Sequence, residues 1–132
     1  MSDELPRRAL SIRQPWAELI LRGAKTLEIR SRPTKVRGFV QVYASLRRED
    51  GVIQLAAAQR HSLNLDELPR GLLIGLVEIV GSRPVSPADS AAAGFQIPEG
   101  ARLHGWELAN PQRFKVLSRP ERQPQPSFFF TR

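Results

Sequence analysis

Residues 9–31 read ALSIRQPWAELILRGAKTLEIRS. Residues 9–12 are short and mostly apolar, which predicts a strand. Pro15 suits the first position of a helix, and Trp16, Leu19 and Ile20 follow at i, i+3 and i+4, so residues 15–22 are expected to form a short amphipathic helix. Gly23 stands where a left-handed residue would end it. From Thr26 to Ser31 the period becomes two: Leu27 and Ile29 face one side, Thr26, Glu28 and Arg30 the other, as in a half-buried strand.

Downstream, Pro33 and Gly38 bracket a basic turn, and Phe39, Val40, Val42 and Tyr43 read as a central strand of strong β-formers. Residues 48–60 fit a helix, with Val52, Leu55, Ala56 and Gln59 at helical spacing, and residues 64–70 fit a loop. Residues 71–80, GLLIGLVEIV, are a nearly continuous apolar run, expected as a strand buried on both faces with Glu78 its only charge. Residues 81–100 are rich in Pro, Ser and Ala and read as a loop with one helical turn near residues 88–93. Residues 106–108 and 114–117 read as two late strands joined by a turn at 110–113, where Asn110-Pro111 is the turn signal. Prolines dominate residues 119–126, and the apolar residues 128–130 are expected to dock on the body and close a barrel. Residues 1–8 read as a loose tail. The pattern is that of an α+β fold: a small mixed, mostly antiparallel β-barrel with two or three short helices.

A chain of 132 residues supports one domain with its own core, here residues 1–132. With 41% hydrophobic and 25% charged residues it falls outside disordered, collagen-like and coiled-coil compositions. It has no cysteine, so no disulfide, thiolate zinc site or cysteine nucleophile is possible. His61 and His104 lack ligand-like spacing and read as surface or loop residues; no metal and no cofactor is expected. No apolar run approaches the roughly 20 residues that cross a bilayer. The polar start is unlike a secretory leader. A cytoplasmic monomer with no membrane partner is expected.

Seventeen arginines and three lysines against 13 acids give a net charge of +7. Arginine's planar fork suits phosphate and stacks on bases, so an anionic partner is expected. Between Ile29 and Arg48 lie Arg30, Arg32, Lys35, Arg37, Arg47 and Arg48 with no acid, a stretch that would create a local positive field if folded compactly. A composition bias that writes arginine on solvated faces would explain the number of arginines, though not their clustering.

The segments LSIRQPW at 10–16 and GAKTLEIR at 23–30 resemble the ASCH family, named for homology to a transcriptional coactivator; the G-x-K-x-x-E-x-R spacing matches throughout. The likeness continues through GFVQVYAS at 38–45, the strand ending in Glu78, and WELANP at 106–111. The resemblance implies a PUA-like β-barrel with a cleft near the motif, and binding of RNA or other nucleic acid. In that cleft Lys25, Glu28 and Arg30 would bring a cation, an anion and a second cation together. Arg13 and Gln14 would join them, with Trp16 or Tyr43 available for stacking and Ser45 nearby. Arg32, Lys35, Arg37 and Arg47 would track the backbone of a single strand, RNA rather than DNA. Each residue also has a plainer use: Lys25 can offset a helix dipole, Glu28 and Arg30 can form a surface pair worth about 0–1 kcal/mol, and Trp16 can be core. Glu78, a carboxylate in an apolar strand, needs a partner, for which Lys25 or Arg30 is expected.

Some bacterial ASCH proteins are amidohydrolases that use a lysine, a threonine three residues later and a glutamate on a following strand. Here Lys25 and Glu78 match, but Glu28 stands at the threonine position, and a carboxylate is a poor substitute for a hydroxyl in acyl transfer. A second possibility is therefore a small hydrolase, ribonuclease or amidohydrolase-like, acting on RNA or acylated nucleosides through Lys25, Glu28 and Glu78. A third is a transcription-related protein-interaction domain whose arginines meet acidic partners.

Overall fold

The elements follow the sequence periods closely where one face of the chain meets the core. The computed structural model describes residues 4–132. Its strands are β1 (Arg8–Ile12), β2 (Leu27–Arg30), β3 (Gly38–Ala44), β4 (Leu72–Pro84), β5 (His104–Ser118) and β6 (Phe128–Phe130). The helices are α1 (Trp16–Leu21), α2 (Val52–Arg60) and α3 (Ser90–Ala93), with single 3₁₀ turns at Leu65–Glu67 and Pro87–Asp89. The strands form one sheet in the order β2-β5-β4-β3-β1-β6. Among the described residues only β1 and β3 run parallel, and α1 and β2 lie in the crossover that such a pair requires.

The sheet curls into a half-barrel. β5 and β6 are four strand spacings apart, about 19 Å if the sheet were flat. Yet Trp106 of β5 stacks on Phe128 of β6 with ring centroids 5.3 Å apart and planes 3° from parallel. The space enclosed by this curl is filled by Leu10, Ile12, Val40, Val42, Ile74 and Ile79, with Ile20 of α1 packed among them. α1 ends where expected: Gly23 adopts φ +77°. No atom crowds a Cβ built there, so backbone conformation alone calls for glycine.

Several elements depart from expectation. β4 is buried on both faces only near its start, where Leu73 and Ile74 pack into different clusters; further on Val77 and Ile79 point inward, Glu78 is half-buried and Val80 is 50% exposed. Over this second half the outer face is only partly covered, so a run that looks continuous in sequence alternates in space. The two late strands are a single β5, because Asn110, at φ 52°, bends the strand without reversing it. Gly75 marks a similar irregularity on β4, where a Cβ would collide with the Gln112 carbonyl oxygen. The helix α2 buries Ala57 and Ala58, and leaves Val52 and Leu55 at 84% and 52% exposure, so the expected apolar stripe faces solvent.

The triple phenylalanine docks as antiparallel β6 on β1, with Phe129 edge-on to Tyr43 at 5.4 Å. It closes the barrel only through side chains, since β2 and β6 remain the two edges of the sheet. The expected loose tail falls partly on residues 1–3, outside the described residues. Arg7 within it is held: its carbonyl accepts from the Thr131 N–H at 2.8 Å, and its guanidinium donates to the Arg132 carbonyl at 2.7 Å.

Candidate functional site

A hollow of about 900 Å³ opens where β1 and β3 end and β4 begins. Ser11 and Arg13 follow from the end of β1, Trp16 from the start of α1, Tyr43 and Ser45 from the end of β3, and Glu28 and Arg30 from β2. Arg47 and Glu49 come from the chain after β3, Arg70 from the turn before β4, and residues 119–127 form the opposite wall.

At the floor of this cleft lies a line of three charges, two of them buried. Lys25 is 2% exposed and Glu28 is 6% exposed. The Lys25 ammonium donates to the Ala93 carbonyl at the end of α3, sits 3.7 Å from Glu28 Oε1, and rests 5.0 Å above the Trp16 ring. Glu28 Oε2 accepts from Arg30 Nε at 2.8 Å and Nη2 at 2.7 Å. Arg30 donates further to the Ser11 carbonyl at 2.9 Å and stacks 5.2 Å over Trp106. Glu28 thus neutralises two cations at once, and Arg30 ties β2 to the end of β1.

Burial pushes the Lys25 ammonium below the usual lysine value near 10.5; Glu28 pulls it up and Arg30 pushes it down, leaving it lowered. Between that lowered value and the usual one the unfolded chain holds a proton that the folded chain has released. Raising the pH through this window therefore stabilises the fold, and below it the buried charge costs stability. Tyr43, pushed up by burial, acts in the opposite direction above its usual value. Urea midpoints of the wild type and Lys25→Met, compared from about pH 8 to about pH 10.5, isolate the lysine. We expect the wild type to gain stability relative to the variant as pH rises; parallel curves would exclude this account.

The cleft gathers seven of the sequence candidates: Arg13, Trp16, Glu28, Arg30, Tyr43, Ser45 and Arg47. Lys25 lies behind Trp16 and Glu28 and does not line the cleft. Gln14 is 1% exposed and braces the helix, accepting the Glu18 N–H at 2.9 Å and donating to the Pro69 carbonyl at 3.0 Å. Arg32, Lys35 and Arg37 lie outside the cleft, because the β2–β3 connection carries them away from it; Arg37 folds back onto the carbonyls of Thr34 and Val36. Arg48 is neutralised by Asp50 and Asp66. The basic stretch therefore divides instead of forming one field.

Glu78 does not meet Lys25 or Arg30. It sits on the outer side of β4 and accepts from the Asn110 side chain at 2.9 Å. The carboxylate that serves both cations is Glu28, so Lys25, Glu28 and Glu78 are not assembled as one set. His104 opens β5, with Nδ1 buried and unpartnered, and is not a loop residue. Among the described residues no three His, Asp or Glu side chains are placed to hold a metal, and no helix is long and apolar enough to cross a membrane.

The family model of the ASCH domain matches residues 10–118. This chain belongs to the ASCH family. Solved structures share its fold: ASCH from Zymomonas mobilis superposes with a TM-score of 0.62 at 17% identity, covering 95% of this chain and 87% of that one. A serine-to-alanine variant of the Zymomonas mobilis protein gives 0.60 at 14% identity, covering 95% and 87%. A tyrosine-to-phenylalanine variant gives 0.60 at 14%, covering 95% and 89%. No curated protein matches the chain.

In this ASCH domain the motif glycine, lysine, glutamate and arginine are Gly23, Lys25, Glu28 and Arg30, so the motif supplies the cleft's buried charged foundation. Its free cations come from elsewhere. Arg47 and Arg119 line the cleft and, among the described residues, form no side-chain hydrogen bond or ion pair. Arg70 donates to the Leu65 carbonyl at 2.7 Å but leaves Nε buried without a partner. Sequence reasoning missed Arg70, Glu49 and Arg119. Arg70 carries only the weak signal of a charge between Pro69 and Gly71, and Arg119 that of a charge leading into a proline run.

Proposed function

We propose that the cleft binds single-stranded nucleic acid, RNA in preference to DNA. The observation that carries this is a hollow of about 900 Å³ lined by five arginines against two glutamates, with Arg47 and Arg119 unpaired among the described residues. Arg13 is held by Glu49 and Arg30 by Glu28, so these two shape the floor, while Arg47 and Arg119 are left to meet phosphate. Trp16, half-buried at the cleft edge with Lys25 and Phe95 behind it, offers a ring for a base. Membership of the ASCH family supports RNA as the ligand class. The buried, lysine-backed Glu28 is better placed to hold the site together than to turn over a substrate.

Anisotropy titration with short single-stranded RNA, single-stranded DNA and duplex DNA at two salt concentrations tests this. Two phosphate contacts to a single strand give a slope of log affinity against log salt of about −1.4, and Arg47→Gln flattens it by about 0.7. An affinity indifferent to salt, or no affinity at moderate salt, would turn the reading toward a modified nucleoside or a protein partner. Cleaved RNA recovered after the titration would move the protein into the nuclease class.

A further inference from the structure

A second recess of about 400 Å³ lies against β6, lined by Arg8, Arg122, Gln123, Gln125 and the phenylalanines Phe128–Phe130. Gln123 and Gln125 line the first cleft as well, so the two hollows are separated only by the ridge that carries them. Resting on the reading that the first cleft takes single-stranded RNA, we propose that this recess is a second nucleotide subsite, receiving a base that flanks the nucleotide held in the cleft.

Three features support it. First, Phe130 is 47% exposed, a large aromatic surface on an edge strand. Arg7 and Arg8 pack on its ring, with guanidinium carbons 5.3 Å and 5.6 Å from the centroid. Register explains this: Arg8 pairs directly with Phe130 across the β1–β6 ladder. A flat aromatic flanked by guanidinium planes is the kind of surface on which a base of any identity stacks.

Second, the charge is uncompensated. Among the described residues no acidic side chain lines the recess, and the guanidiniums of Arg8 and Arg122 form no ion pair or hydrogen bond. With Arg47 and Arg119 across the ridge, they make a series of free cations along both hollows, as a phosphate backbone would need.

Third, the ridge is held in advance of binding. The Glu121 and Arg122 N–H groups donate to the Thr131 carbonyl at 2.9 and 3.2 Å. At its other end the Ser11 hydroxyl donates to the Gln125 carbonyl at 2.6 Å, and the Ser11 N–H to the Ser127 carbonyl at 2.8 Å. Pro124 and Pro126 restrict the chain between these anchors. The exposed amides of Gln123 and Gln125 thus meet a crossing strand with little ordering cost.

The test is a length series of fluorescently labelled uridine nucleotides, of one, four and eight residues, titrated by anisotropy into the wild type, Phe130→Ala, Arg122→Gln and Arg47→Gln. Phe130→Ala and Arg122→Gln are expected to weaken the longest oligomer, the first on the order of tenfold, and to leave the shortest unchanged. Arg47→Gln is expected to weaken both. Wild-type affinity of Phe130→Ala and Arg122→Gln for the longest oligomer, with Arg47→Gln still impaired, overturns the second subsite alone. Absence of binding at every length overturns it together with the reading of the first cleft. Arg122 is exposed and its side chain has no bonded partner among the described residues, so its variant reads binding even if Phe130→Ala unfolds.

Discussion

Glu28→Ala is expected to destabilise the protein by about 3–5 kcal/mol, the cost of leaving buried charge without its partner. Glu28 is the only carboxylate, among the described residues, within ion-pair reach of either Lys25 or Arg30. Lys25 at 2% exposure cannot turn to water. Without Glu28 its charged form is supported only by the Ala93 carbonyl and the rings of Trp16 and Phe95. The lysine then has one escape, which is to release its proton, so the loss should shrink as pH rises. Lys25→Met in the same chain should restore much of the stability, because a thioether of similar length suits the site without a counterion. Urea denaturation of the two single variants and the double variant measures the coupling. A Glu28→Ala loss under about 1 kcal/mol, or no recovery with Lys25→Met, would show that the three charges do not act as a unit.

Trp106→Ala is expected to cost a similar amount, about 3–5 kcal/mol, and to loosen the curl of the sheet as well. The ring is 4% exposed, stacks on Phe128, carries Arg30 on its other contact, and donates from Nε1 to the Arg32 carbonyl at 2.9 Å. It therefore joins β5 to β6 and to the connection after β2, elements that no ladder of hydrogen bonds links around the open side. Trp106→Phe keeps an aromatic stack and loses the N–H donor, leaving the Arg32 carbonyl without it, and should cost about 1–3 kcal/mol. Limited proteolysis distinguishes a local from a global effect: Trp106→Ala should expose residues 119–130 to cleavage before the rest of the chain. A loss below about 1.5 kcal/mol with no change in proteolysis would mean that the half-barrel holds its curvature without this stack.

Much of the fold was legible because residues 9–31 show two periods in succession, and each period reports a buried face. What a period does not report is whether anything covers the opposite face. Period alone therefore marks Val80 and Glu78 as buried and Val52 and Leu55 as the packed stripe of α2, and the structure exposes Val80, Val52 and Leu55. Asn110-Pro111 is a real local signal whose outcome is set elsewhere: β4 runs alongside on both sides of it, with Glu78 opposite Ala109 and Leu76 opposite Gln112, so the bend becomes a bulge within a paired strand. The cleft was legible in part. Glu28 and Arg30 follow from a spacing of two on one strand, and Arg13 and Trp16 from their place at the strand–helix junction. Arg70 and the wall at 119–127 owe their position to contacts between residues far apart in sequence, and a Pro/Gln segment has no period to announce them. Gln14 and Lys25, expected to line the cleft, lie behind it, their chemistry spent inward on a helix end and on a buried carboxylate.

The docking of β6 on β1 has a bearing on the order of folding. Arg8 pairs with Phe130, and the Thr131 N–H holds the Arg7 carbonyl, contacts between segments more than a hundred residues apart in sequence. Residues 119–127, one wall of the cleft, lead directly into β6. Contacts of such separation close slowly, so the rest of the sheet can pair while β1 still has an open apolar edge. A chain with β1 to β5 in place and β6 undocked therefore has a packed body but a cleft with one wall missing, and the hollow takes its shape in the last stage of folding.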